Sequence, residues 1–221
     1  MLLAIDTATQ YAGVALHDGD HVVVEMMWRA GRHHTRQVPS AVEEALRRAD
    51  IAPADLTAVG VAVGPGSFTG LRIGLSLAKG FAVALGIPLV GVPTLDITAA
   101  PHAGQEPICA LIQAGRGRVA FAFYAPVEGA VAWRRLGEYR LGTLEEVAEA
   151  ARGPTRFVGE LSSQERARLH ERLGERARFA SPAQNVRRPA VLAELAWQRL
   201  RNGESDDPAT LAPIYLHVPG T

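Results

Sequence analysis

The run GPGSFTGLRIGLSLAKGFAVALG, from Gly64 to Gly86, constrains this chain more than any other stretch. It is a glycine-rich loop leading straight into a helix. Between Leu71 and Leu85 only Arg72, Ser76 and Lys79 are clearly polar, and steps of four and three residues put them on one stripe. The other faces are apolar or tiny. Such a helix is either buried within its own domain or buries its outer side on another protein. Gly70, Gly74 and Ala78 lie four apart and line one helical edge with minimal side chains. That edge lets another backbone come close, within the domain or across an interface.

The flanking sequence places this helix in an α/β unit. LLAID, Leu2 to Asp6, reads as a strand ending on an acid, and YAGVAL and HVVVEMMW read as a hairpin around Asp18-Gly19. Val38, Val42, Leu46 and Ala49 recur at helical spacing opposite Glu43, Glu44, Arg47 and Arg48, with Pro39 expected in the first turn. LTAVGVAVG is an apolar strand expected to be covered on both faces, and IPLVGV follows Gly86 as another strand. The stretch PHAGQEP, Pro101 to Pro107, marks a boundary. Beyond it ICALIQA, RVAFAFYAP and VAWRRLGEYRL read as strands, Thr143 starts a short helix, and TRFVG is a strand. Ser162 or Ser163 caps a helix to about Arg172, and Pro189 to Arg201 is a further helix. The tail LAPIYLHVPG is a terminal strand or an extended strap.

At 221 residues the chain has room for one large domain or two small ones. Lys plus Arg equals Asp plus Glu, 23 of each, so no long-range field draws it to nucleic acid or an anionic membrane. Arg116, Arg118, Arg134, Arg135 and Arg140 still make the second segment locally basic, either as a solvated face or as a contact for RNA or an acidic partner. The lone cysteine, Cys109, sits in an apolar run and reads as a buried thiol. No basic leader with a processing site and no apolar run of about 18 residues is read, so the cytoplasm is the expected location.

A strand ending in Asp6, then Thr7-Ala-Thr9, then a hairpin, is how sugar-kinase, actin and heat-shock ATPase domains open. There such residues manage phosphates and Mg²⁺; the bland alternative is a strand end and a tight turn. Ser67 and Thr69 either hold an anion at the helix start or cap the helix. No lysine follows the glycines, so the loop is not a P-loop. The adjacent His33 and His34 lack a second ligand three or four residues on, since position 37 is Gln and 38 is Val, so no metal site is expected. No nucleophile elbow is present and no catalytic residue is assigned.

The segments LLAIDTATQYAGVAL, GRHH, VAVGPGSFTGLRIGLSLAKGFAVALGIPLVGVPTLD and the late PIYL resemble the TsaB (YeaZ) family of bacterial tRNA-modification proteins. The resemblance is strong over the first hundred residues and weaker beyond. It implies a reduced two-lobed actin-like ATPase (ASKHA) fold, each lobe a mixed sheet with packed helices: a first lobe over 1–102 and a smaller, degenerate second lobe over 103–221, with the C-terminal helix or tail packing back on the first. It implies a non-catalytic paralogue that binds and activates TsaD, joined by TsaE, in forming N6-threonylcarbamoyladenosine at position 37 of tRNAs. Alone, the family forms homodimers; tRNA is met within the complex, and no membrane is involved. No cofactor is implied for the chain itself, while ATP and a metal ion belong to the partners. Asp6, Thr7, Thr9, Ser67 and Thr69 would then be vestigial phosphate loops. The helices at 36–49 and 70–85 would form the partner bundle, with Val42, Leu46, Leu71, Gly74, Leu75 and Ala78 as the expected contacts. The competing reading is a small actin-like ATPase or phosphotransferase, or a peptidase, acting on its own. The Gln113-Ala-Gly start of the second-segment turn departs from the Asp-Ala-Arg start that many family members show.

Overall fold

A computed structural model describes residues 1–31, 34–104, 106–127 and 133–216, with only the backbone of His34 and Thr35. In chain order the elements are β1 (Leu2–Asp6), β2 (Tyr11–His17), β3 (Val22–Arg29), α1 (His34–Arg48), β4 (Ala58–Gly64), α2 (Phe68–Leu85), β5 (Leu89–Pro93), α3 (Thr94–Ala99), β6 (Ile108–Gly115), β7 (Arg118–Pro126), β8 (Trp133–Gly142), α4 (Leu144–Ala150), β9 (Thr155–Gly159), α5 (Ser163–Leu173), β10 (Ala177–Phe179) and α6 (Pro189–Arg201). They form two compact units. The first is Met1–Thr94 with Arg188–Tyr215, and the second is Leu95–Arg187 with Leu216–Thr221. The division therefore falls at the start of α3, ahead of the Pro101 to Pro107 stretch, and α6 belongs to the first unit.

In the first unit the strands run in the order β3-β2-β1-β4-β5. β1 pairs antiparallel with β2 and parallel with β4, as a hairpin followed by a helical crossover requires. β4 shows how one strand serves two faces. Its seven residues are all buried, and its sequence alternates valine with alanine or glycine. Val59, Val61 and Val63 join the core beneath α1 and α2, alongside Leu3, Ile5, Val14 and Leu16. Gly60 lies under α6, where a β-carbon would press on Ala196. Gly13 admits Pro189 of α6 in the same way. Large residues fill one side of the sheet, and small ones let a helix sit close on the other.

Pro39 lies in the second turn of α1, not the first, because the helix begins at His34. The helix forgoes one backbone bond there and is held by Val38, Val42, Ala45 and Leu46 in the core. Helix α2 is longer and more apolar than the sequence reading allowed. Its 18 residues have a mean hydropathy of 1.3, enough by length and composition to cross a membrane. Its buried stripe of Leu71, Leu75, Ala78 and Ala82 instead packs within the unit. Gly86 ends it in the left-handed conformation, φ +65°, which glycine adopts without cost.

The second unit repeats the connectivity, in the order β10-β9-β6-β7-β8. One face packs Leu111, Phe121 and Phe157 against α4 and α5, which start with the capping boxes Thr143–Glu146 and Ser162–Glu165. Cys109 is fully buried on this face, and burial pushes its thiol pKa well up. On the other face Asp96 of α3 accepts hydrogen bonds from the Tyr124 and Tyr139 hydroxyls at 2.8 and 2.9 Å. Burial raises the Asp96 pKa above the ordinary 3.8, and the two phenols and the charge of Arg135 offset this in part.

The native state thus holds the Asp96 proton more tightly than the unfolded chain, so ionising this group costs stability as pH rises above 3.8. The Asp96→Asn variant lacks that slope. Urea unfolding at several pH values from about 4 to 6 is expected to show its stability gaining steadily on the parent's as pH rises. Parallel curves would place the carboxylate in a better solvated site.

Candidate interface around the second helix

The glycine-rich crossing from β4 to α2 is built by backbone approach. The Ser67 N–H donates to the Ala8 carbonyl at 2.6 Å. The Thr7 hydroxyl, wholly buried, donates to the Gly70 carbonyl at 2.7 Å. A β-carbon at Gly66 would overlap the Ala8 carbonyl, one at Gly70 the Thr7 carbonyl, and one at Gly74 the Thr7 hydroxyl. The three glycines are thus the seat on which α2 meets the β1–β2 turn.

The five residues read as vestigial phosphate loops sit at this seat or beside it. Asp6 Oδ1 accepts the Ala8 N–H at 2.9 Å, and Thr9 Oγ1 accepts the Tyr11 N–H at 3.3 Å. Ser67 caps α2 by accepting the Gly70 N–H at 3.2 Å. Thr69 is exposed on the first turn. In the second unit, the Gln113 side-chain amide donates to the Glu160 carbonyl and to Glu165 Oε1, both at 2.9 Å. His33 lies outside the described residues, as does the side chain of His34; Val38 is fully buried in the core.

The expected partner contacts require correction. Val42, Leu46, Leu71, Leu75 and Ala78 are buried within the first unit, and Gly74 is pressed against Thr7. None of the six faces outward. For the four on α2 the reason is the glycine seat, which turns the small-residue edge toward the β1–β2 turn so that Leu71 and Leu75 enter the core; Val42 and Leu46 lie on the face of α1 that packs into the same core.

The outward face is the stripe marked by Arg72 and Ser76. Phe68 is 54% exposed and Val83 70%. Gly80 and Ala84 are also exposed, with Ile73, Leu77 and Phe81 half-buried. At the head of the helix the Arg72 guanidinium lies 3.8 Å over the Phe68 ring. Its Nε donates to the Tyr215 hydroxyl at 3.1 Å, and the Tyr215 and Phe68 rings stack 5.3 Å apart. The tail reaches this point as an extended strap that has no strand of its own. The Ile214 N–H donates to the Val63 carbonyl at 2.7 Å, where a side chain on Gly64 would collide with it. Sequence reasoning missed Phe68, Val83 and Tyr215. The one signal was that Phe68 lies four residues before Arg72, in line with the stripe of Arg72 and Ser76; nothing in the sequence points to Tyr215.

A family model described as TsaD, tRNA N6-adenosine threonylcarbamoyltransferase, matches residues 28–220. The Bacillus subtilis tRNA threonylcarbamoyladenosine biosynthesis protein TsaB is 31% identical over 98% of this chain and 94% of its own length. This chain belongs to the TsaB (YeaZ) family. A crystal structure of a Pseudomonas aeruginosa protein described as similar to the peptidase YeaZ matches with a TM-score of 0.80 at 26% identity, over 98% of this chain and 99% of the other. The ROK hexokinase of Thermus thermophilus, with a TM-score of 0.51 at 13% identity over 91% of this chain and 99% of the other, shares the fold alone. The architecture of the TsaB-family chain is accordingly the actin-like ATPase fold, with a mixed five-stranded sheet in each unit.

The seat gives a direct test. Gly70→Ala meets a backbone carbonyl, whereas Gly74→Ala meets a side chain that can turn at the expense of its bond to Gly70. Urea denaturation is expected to show a loss of about 1–3 kcal/mol for Gly74→Ala and more for Gly70→Ala. Equal, negligible losses would mean that α2 is not seated on these glycines. Gly74→Trp is expected to unfold the unit.

Proposed function

We propose that this chain acts in N6-threonylcarbamoyladenosine biosynthesis on tRNA as the non-catalytic partner of a TsaD paralogue, binding it through the outward faces of α1 and α2. One observation carries the reading. α2 has a mean hydropathy of 1.3, yet only 33% of it is buried within the chain. An apolar helix left so bare on a soluble domain calls for a cover. The exposed stripe supplies the residue types that anchor interfaces, an aromatic and arginine cluster at one end and Val83 at the other. A helix pair of this length fits an ordinary interface of roughly 800 Å² per partner. The membership shown above supports the pathway, since the Bacillus subtilis relative carries it in its name.

The residues that would serve phosphate chemistry in a related fold are engaged in structure here. Asp6 and Thr9 close the β1–β2 turn, Thr7 ties it to α2, and Ser67 caps the helix. That supports reading the chain as a scaffold for its partner's active centre, with TsaE, ATP and tRNA met in the assembled complex and the cytoplasm as its place of work. Without a partner, the same face would pair two copies.

The test is reconstitution with the cognate TsaD. Val83→Asp is expected to keep the parent's melting temperature and to lower the affinity for TsaD about tenfold or more, by placing a charge in the contact. Sedimentation velocity reads the complex, and mass spectrometry of digested tRNA reads the product. Wild-type affinity in a folded Val83→Asp protein would remove α2 from the interface. ATP turnover or threonylcarbamoyl transfer by the lone chain would replace the reading with the enzymatic one.

A further inference from the structure

Arg72 is exposed at the head of α2, yet its guanidinium is held on two sides. It stacks on the Phe68 ring at 3.8 Å, and its Nε donates to the Tyr215 hydroxyl at 3.1 Å. Tyr215 is itself fixed from behind. The neighbouring Ile214 N–H is bonded to the Val63 carbonyl, and Leu211 packs over Gly91 and against the core of the first unit. The tail thus fixes the phenol, and the phenol with Phe68 fixes the guanidinium.

Donors are left over on this cluster. Among the described residues the Arg72 Nη1 and Nη2 groups meet no acceptor, and no carboxylate pairs with the side chain. Tyr215 accepts with its oxygen and keeps its proton to donate. A free arginine on a helix samples many rotamers, and binding through it ordinarily costs that freedom. Here the fork is stacked and bonded before any partner arrives, which is the preorganisation that makes a guanidinium geometrically selective.

The fork and its surroundings define the missing group. Coplanar Nη donors match the paired oxygens of a carboxylate or a phosphate. Helix α2 carries two charges over its 18 residues, Arg72 and Lys79, and no acid to neutralise them. Further along the same face Val83 is 70% exposed and Phe81 half-buried. A nucleic-acid backbone would leave that apolar surface in water, whereas a protein brings a carboxylate and an apolar cover together. We infer that Arg72 takes a carboxylate side chain of the partner protein, and that Tyr215 of the tail is the residue that positions it. The anchor rests on the reading of the α2 face as the TsaD-binding surface, and adds to it the group that TsaD must supply.

The full chain and its cognate TsaD are titrated by calorimetry at several salt concentrations. Arg72→Ala is expected to weaken the complex about tenfold. Tyr215→Phe keeps the ring stack and removes the acceptor of Nε, and is expected to weaken it about threefold. In an Arg72→Ala background Tyr215→Phe is expected to change nothing further, as for a residue that acts through another. The parent's affinity is expected to fall with salt more steeply than that of Arg72→Ala, since an ion pair is screened. Thermal melts check that each variant is folded. Parent-like affinity in folded Arg72→Ala overturns the inference; if Val83→Asp still weakens the complex, the α2 reading stands and the anchor alone is lost, and if neither does, both fall. Equal salt slopes overturn the carboxylate, and additive losses overturn the positioning role of Tyr215. Weaker tRNA binding by the assembled Arg72→Ala complex, with TsaD affinity unchanged, would assign the fork to a phosphate. A dimer of the lone chain that Arg72→Ala dissolves, with TsaD affinity unchanged, would assign it to a second copy.

Discussion

Three glycines set the rotation of α2, and that rotation decides which residues the chain keeps and which it shows. Gly66, Gly70 and Gly74 let the helix backbone lie against Thr7 and Ala8 at distances no side chain permits. The seat is polar as well as close. The Thr7 hydroxyl makes a buried bond across it and the Ser67 amide makes a second bond to the Ala8 carbonyl, and losing the first would leave a group desolvated and unpaired. With that edge fixed, Leu71, Leu75 and Ala78 must point into the core, and Phe68, Arg72 and Val83 must point out. The surface of the protein follows from a contact made entirely inside it.

The same economy of small residues governs the far side of the sheet. Gly13 and Gly60 bring α6 onto β2 and β4, while the valines of β4 fill the side under α1 and α2. A strand buried on both faces would ordinarily carry large residues throughout. Here the asymmetry lets one strand support two helical layers at different depths. The second unit reuses the connectivity with aromatic filling, Phe121 and Phe157 toward α4 and α5 and Tyr124 toward Asp96. Similar topology is thus reached with different packing, which is why the two halves show no repeat in sequence.

Most strands and helices were legible because their periods are clean; α3 and β10, only six and three residues long, were not. Val38, Val42 and Leu46 announce α1, and the alternation of β4 announces a strand with two covered faces. The fold family was legible through the family resemblance carried by the GPGSFTGLRIG run and the opening segment, the strand–turn–hairpin pattern alone leaving a plain tight turn as an alternative. The orientation of α2 was not. Its apolar residues surround the axis, so hydrophobicity could not say which side is inside, and the small-residue edge fitted a partner's backbone as well as the chain's own. What decides is the Thr7 contact, made between residues 63 apart in sequence. Tyr215 was hidden for a similar reason, since its ring meets Phe68 only after the tail has crossed β4. The chain divides between Thr94 and Leu95 rather than in the proline- and glycine-rich stretch, and α6 rejoins the first unit because it packs on the first sheet.

Two kinds of surface remain on the first unit. The outward face of α2 is apolar and regular, and it is best covered by another helix laid along it. The β3 edge offers directional backbone groups, which another helix cannot satisfy. Asp206 and Arg199 close the β5 edge, whereas among the described residues β3 pairs with β2 alone, and an open edge is a liability that sheet proteins ordinarily remove.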